Sequence, residues 1–146
     1  MRVVIAAAGK MKERAARELL DEYLARIRRY APCDEVEVRD DDRIEAAFTR
    51  AIPSRATTVA LEVGGDALSS ERFAALVGRV RDGGAGALVF LIGGAYGLPA
   101  KLSREASHRL SLGPMTLPHR LARIVLAEQL YRAFTILAGE PYHHSG

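Results

Sequence analysis

The chain has one cysteine, Cys33, and no Cys-x-x-Cys pair or Cys/His spacing of the kind that holds a metal. That excludes an internal disulfide framework, gives no reason to expect a metal centre, and fits a reducing, cytoplasmic setting. No apolar run reaches the ~20 residues needed to cross a bilayer. The opening Met1-Arg-Val-Val-Ile-Ala-Ala-Ala-Gly9 is apolar but short, and Lys10 and Lys12 follow it where a signal peptide would have its charges first. It reads as a buried strand, and no membrane partner is expected. The phosphate-binding string GxxxxGK[ST] is missing, and Gly93-Gly94-x-x-Gly97 lacks the GxGxxG spacing of dinucleotide-binding turns. Repeats, low-complexity tracts and linkers are also missing, so residues 1–146 are expected to form a single domain.

What is present is ordinary for a soluble globular protein: 49% hydrophobic and 27% charged residues. Arg2–Ala8 is a continuous apolar run, as in a strand buried on both faces. Met11–Tyr30 places Ala16, Leu19, Leu20, Tyr23, Leu24 and Ile27 at helical spacing, and Pro32 ends it. Val36–Val38 predicts a weak strand near an edge, and Asp40-Asp-Asp42 a helix N-terminus, with that helix running to Ile52. Thr57–Val63 predicts a strand stopped by Gly64-Gly65. Leu68 and Phe73 bracket Ser69 as a hydrophobic staple around an N-cap, opening a helix to about Arg81. Ala87–Ile92 is the most apolar strand. A helix from about Pro99 to His108 and a strand over Arg109–Leu112 follow. Strands alternating with helices predict an α/β fold with a parallel sheet.

The last third stands apart in charge. Residues 1–100 balance 15 Lys and Arg against 15 Asp and Glu. Residues 101–146 set Lys101, Arg104, Arg109, Arg120, Arg123 and Arg132 against Glu105, Glu128 and Glu140, so the net charge of +3 resides there, with all four histidines. A basic end on a neutral body points to an anionic partner, although solvated arginines on a helix would look the same. Pro118 predicts a helix start. From Ile124 that helix is apolar almost all round, which predicts two buried faces, one against its own sheet and one against something else, such as a second subunit.

Ligands of open α/β sheets bind beyond the carboxyl ends of the strands. Three such ends are suggestive: Leu61–Gly65, Leu91–Leu98 and Leu112–Leu117. Glycines there let backbone approach a ligand, and Leu and Met walls suit adenine and a thioether-like chain better than a triphosphate. A flavodoxin-like nucleotide binder is disfavoured by the missing phosphate loop.

The strings Leu91-Ile-Gly-Gly-x-x-Gly-Leu98, Leu110-Ser-Leu-x-x-Met-Thr-Leu-Pro-His119, Glu128-Gln-Leu-Tyr-Arg-Ala-Phe134 and Gly139-Glu-x-Tyr-His143 closely resemble the ribosomal RNA large subunit methyltransferase H family of SPOUT methyltransferases. Val4-Ile-Ala-Ala-Ala-Gly-Lys10 resembles the family's start. The chain departs from the family over Asp40–Arg55, where it is shorter. The resemblance implies a SPOUT-type parallel sheet with helices on both faces, a C-terminal deep trefoil knot, and a cytoplasmic homodimer. It further implies methylation of N3 of a pseudouridine in large-subunit (23S) rRNA, on the assembled ribosome, with S-adenosyl-L-methionine as methyl donor and no metal. A different RNA uridine as target, or a non-catalytic ribosome- or RNA-binding module of the same fold, are the alternatives.

By the same resemblance the cofactor-contacting positions are Leu61, Gly94, Leu112, Gly113, Pro114, Met115, Thr116 and Leu117, and the catalytic candidates are His119, Arg132, Tyr142 and His143. His119 would touch the substrate or accept its proton, and a helix N-terminus favours the neutral imidazole a base needs; the plain alternative is capping or packing. Arg132 would contact the base or a phosphate and stabilise developing charge, or simply pair with Glu128 one turn earlier. Tyr142 would stack on or bond the base, yet with His143 it lies on a tail of the kind that usually frays. Arg104, Arg109, Arg120 and Arg123 are phosphate-contact candidates or plain surface residues.

Overall fold

The structure is a computed structural model and describes residues 1–145. Its strands are β1 (Arg2–Ala8), β2 (Cys33–Val38), β3 (Ala56–Ala67), β4 (Ala87–Ile92) and β5 (His108–Ser111). Its helices are α1 (Arg14–Ile27), α2 (Ile44–Ala51), α3 (Ser70–Asp82), α4 (Ala100–Glu105) and α5 (His119–Leu137), and a 3-10 turn spans Pro141–Ser145. The strands form one sheet, all parallel, in the order β2-β1-β4-β3-β5.

Strand side chains alternate between faces, and β1 shows what each face meets. Val3, Ile5 and Ala7 join Leu88, Phe90 and Ile92 of β4 in a core roofed by α1, α3 and α5. Val4, Ala6 and Ala8 join Val89 and Leu91 in a smaller core with Phe48 of α2 and Leu102 of α4. Helices therefore cover both faces, which is why β1 and β4 carry no polar alternation. β2, at an edge, is the strand with the weakest apolar pattern.

Four local expectations are corrected. β3 does not stop at Gly64-Gly65 but continues to Ala67, with a register shift between Leu61 and Asp66, both of which pair with Leu110. The glycines serve a bulge: a Cβ on Gly65 would stand 2.8 Å from the Arg109–Leu110 backbone. α1 starts only at Arg14, because Met11 is buried and its N–H donates to Glu37 Oε2 (2.7 Å). α4 ends at Glu105 because Ser107 and Thr58 exchange hydrogen bonds (Thr58 N–H to Ser107 Oγ, 3.2 Å; Ser107 N–H to Thr58 Oγ1, 3.0 Å), fixing the start of β5. Pro118 is the N-cap of α5, one residue before its first turn.

α5 buries most of its girth within its own chain, since α1 and α3 flank it over the sheet. Tyr30 of the α1 end stacks on Phe134 at 5.6 Å, and Tyr23 and Tyr30 both meet Tyr131 at 6.4 Å. Leu121 and Val125 are its exposed large apolar residues, 43% and 36% accessible. An apolar girth alone therefore does not call for a second subunit.

Candidate active site

Beyond the carboxyl ends of β3, β4 and β5, three segments enclose a cavity of about 430 Å³, within the ~300–1,000 Å³ typical of small-molecule sites. Leu61, Gly94, Leu112, Gly113, Met115, Thr116 and Leu117 all line it; Pro114, between two of them, does not. The β3 bulge adds Glu62 and Val63, and α5 adds His119 and Ala122. Backbone shapes this site. A Cβ on Gly93 would overlap the Gly97 and Leu98 backbone, and one on Gly94 would overlap the Asp40 carboxylate. Gly97 N–H donates to Gly94 O (3.0 Å), with Gly97 at φ +83°. At the third segment Gly113 has φ +132°, and Ser111 Oγ both accepts from Gly113 N–H (3.1 Å) and donates to Gly113 O (3.0 Å), closing a tight turn. Glu62 and His119 are the ionisable side chains on the wall. His119 is exposed and α5 has no side-chain cap, so the capping alternative for His119 is not realised.

The other catalytic candidates sit elsewhere. Arg132 is 13 residues beyond His119 on α5, on the order of 20 Å at 1.5 Å per residue, and neither it nor Tyr142 nor His143 lines the cavity. These three form their own cluster with Glu128. Arg132 Nη2 donates to Glu128 Oε2 (2.9 Å), and Tyr142 OH donates to the same oxygen (2.7 Å). Arg132 Nη1 meets His143 Nδ1 at 2.9 Å, and His143 Nε2 meets Glu71 Oε1 at 2.6 Å. A guanidinium only donates, so Nδ1 is the acceptor and Nε2–H donates to Glu71. The hydrogen bond it donates to Glu128 raises the Arg132 pKa further, keeping it cationic. Burial, with the bond to Glu128, pushes the Tyr142 hydroxyl well above its ordinary value. The tail is thus no frayed end: Tyr142 packs edge-on against Tyr131 at 4.6 Å, and Glu140 accepts from Tyr30 OH at 2.8 Å.

Arg123 corrects the phosphate-contact expectation. It is 2% exposed, and its Nη1 donates to Glu35 (2.8 Å) and Glu37 (2.7 Å) while Nη2 donates to Gly9 O (3.1 Å). Arg17 pairs with the same two carboxylates. Burial pushes the Glu37 carboxyl up, but the Met11 N–H and Arg123 outweigh it, leaving it below its ordinary range. The network ties the first turns of α5, and so His119, to β2 and the β1 end. Sequence reading missed it, along with Glu71, because the partners are 86, 88 and 72 residues apart with no local pattern linking them. Arg120 pairs with Glu13 at 3.0 Å.

A parallel sheet in this order, with a glycine-built cavity beyond the carboxyl ends of its strands, places the chain among α/β proteins of the kind that take a small ligand at that edge. Residues 1–143 match the profile of the family described as "Predicted SPOUT methyltransferase", and the chain belongs to the SPOUT methyltransferase family. The fold agrees: it superposes on a probable methylase family protein from Haemophilus influenzae Rd KW20 with a TM-score of 0.61 at 12% identity, over 97% of this chain and 69% of that one. More particularly, the chain is 53% identical to a protein named ribosomal RNA large subunit methyltransferase H from Sorangium cellulosum (strain So ce56), over 99% of this chain and 100% of that one. It is 43% identical to one of the same name from Xanthobacter autotrophicus (strain ATCC BAA-1158 / Py2), again over 99% and 100%.

Proposed function

We propose that this protein is an S-adenosyl-L-methionine-dependent methyltransferase that methylates N3 of a pseudouridine in large-subunit rRNA, on the assembled ribosome. The observation that carries the reading is the full-length match to proteins named for large-subunit rRNA methylation. The cavity fits the donor: its walls are glycine backbone, leucine and Met115, with the Thr116 hydroxyl for a hydrogen bond and the Glu62 carboxylate for a cation. When bound there, the donor supplies an activated methyl group.

The chain's own residues have two tasks. N3 of a uracil-type ring is an imide, protonated at neutral pH, so its proton must leave and the resulting anion be stabilised. His119, exposed on the cavity wall, is the proton acceptor in this scheme. Arg132, fixed in orientation by Glu128 and His143, holds the developing charge, with Tyr142 stacking on the ring. A single ring cannot touch both His119 and an Arg132 some 20 Å further along the same helix. The site is therefore assembled from two copies, the cavity of one protomer facing the Arg132 cluster of its partner, and Leu121 and Val125 are apolar surface available to that contact. We also propose that the chain, one domain over residues 1–146, is knotted: β5 lies outside β3, and Leu112–Leu117 returns to the Gly93–Gly97 segment, as a threaded end would. A cytoplasmic setting suits Cys33, which burial pushes up to about 12 and so keeps unreactive. Among the described residues, no helix is long and apolar enough to cross a membrane.

Incubating the chain with unmodified large subunits and the donor, followed by mass spectrometry of the RNA, should give one methylated pseudouridine. Donor binding without RNA methylation would leave a methyltransferase of another substrate. No donor binding at all would overturn the reading.

A further inference from the structure

The last third carries six cations, and three of them are occupied. Arg123 is buried between Glu35 and Glu37, Arg120 pairs with Glu13, and Arg132 pairs with Glu128. Lys101, Arg104 and Arg109 remain, all exposed and none in an ion pair among the described residues. They sit together. Lys101 and Arg104 are on α4, and Arg109 is on β5, with its Nη2 donating to the backbone oxygen of Arg104 (3.2 Å). His108 is exposed on the same strand, and Glu105 is the one acid between Lys101 and Ser111. This strip is strung between two cavity walls: α4 begins shortly after Leu98, and β5 ends just before Leu112, both lining residues. Arg109 lies three residues, about 10 Å at strand rise, from Leu112.

We infer that the α4–β5 edge is a track for an RNA sugar-phosphate backbone, gripping nucleotides that neighbour the one presented to the cavity. The inference rests on the proposal that the substrate is RNA. Charged side chains on an edge strand can also simply block strand-to-strand pairing. That role needs charge on β5 alone, whereas Lys101 and Arg104 project from a helix and guard no edge. Guanidinium forks suit phosphate oxygens, and among the described residues no carboxylate, the neighbouring Glu105 included, forms an ion pair with these three.

The test is the triple variant Lys101→Gln/Arg104→Gln/Arg109→Gln of the full chain, assayed by methylation of large subunits across a salt series, with donor affinity measured by calorimetry. The KM for subunits should rise at least tenfold at ~0.15 M salt, and the slope of log(kcat/KM) against log[salt] should flatten by about 2–3, from roughly 0.7–0.9 per lost phosphate contact. The kcat at saturating RNA and the donor Kd should stay within about twofold, because a phosphate contact away from the reacting atoms binds ground and transition states alike. Arg14→Gln, an exposed α1 cation paired with Glu18, should change neither. An unchanged KM and slope, with or without aggregation of the variant, would overturn the track and leave an edge guard. If the triple variant does not fold, Arg104→Gln alone should flatten the slope by about 0.7–0.9, and an unchanged slope there is equally fatal. Wild type that binds donor but methylates no RNA would locate the failure in the proposed substrate instead.

Discussion

The two ends of α5 are built in opposite ways. At its start the cavity is made of main chain: Gly93, Gly94, Gly97 and Gly113 set its shape, and Glu62 and His119 are its ionisable side chains. At its far end Glu128, Arg132, Tyr142, His143 and Glu71 form a network of side chains, each holding the next. A backbone-built site is indifferent to most side-chain chemistry but cannot accept an added carbon. A side-chain network accepts new bulk at its margins but fails when one hydrogen-bonding group is removed. The former suits gripping a donor whose shape is constant; the latter suits stabilising a charge that appears only during reaction.

Removing the charge at the far end should have the largest effect. Arg132→Gln should lower kcat by about 10²–10³, the usual cost of losing one preorganised donor to a developing anion, with the donor Kd unchanged in calorimetry. If donor affinity falls in step with kcat, the two ends are not separate sites. Next in size is Gly93→Ala. Its methyl group would overlap the Gly97–Leu98 backbone, and a shift of ~1 Å in a binding segment costs about 10²-fold, read here as weaker donor binding with the fold retained. Mixing the two variants tests whether the ends meet across a dimer. Half the dimers are then mixed, and each mixed dimer has one intact cavity facing one intact cluster, so about a quarter of wild-type activity should return. No recovery would mean that each chain keeps its site to itself.

The two ends also differ in how far the chain announces them. The cavity was legible because each of its loops follows an apolar strand, and glycines after strands mark where backbone must bend or approach. β1 and β4 were legible for a related reason: burial on both faces leaves no polar residue from Val3 to Ala8 or from Ala87 to Ile92. Within that frame, the Gly64-Gly65 pair was misread as a stop because a glycine that ends a strand and one that bulges it look identical without the neighbouring β5 backbone. The far end was half legible. Arg132 and Glu128 share a helix face and so a spacing, but Glu71 belongs to α3. Nothing near Tyr142 and His143 in sequence says that these two residues will be pinned by Tyr131, Glu128 and Glu71. Arg123 was the plainest miss. A buried, doubly paired arginine has the same letter as a surface one, and only the placement of β2 beneath α5 separates them.

The smallest effect should come from the margin of the network. Glu71 is exposed, yet its bond to His143 holds its carboxyl below the ordinary carboxylate range. A depressed carboxyl pKa stabilises the folded arrangement at pH above the unfolded value of about 4.3 and loses that contribution as pH falls through the lower folded value. The Glu71 anchor is therefore fully present at neutral pH and released only in acid. Glu71→Gln should remove this acid-dependent step. The amide can still accept from His143 Nε2–H, but without a charge, so the His143 ring should be held less firmly against Arg132 and kcat should fall by less than the roughly 10–100-fold typical of losing a supporting partner outright. The cavity end has no contact with Glu71, so the donor Kd and its pH dependence should match wild type from pH 5 to 8. A change in donor affinity in Glu71→Gln would mean that a tail, from the same chain or from the partner, helps to hold the donor, and the division of labour along α5 would fail with it.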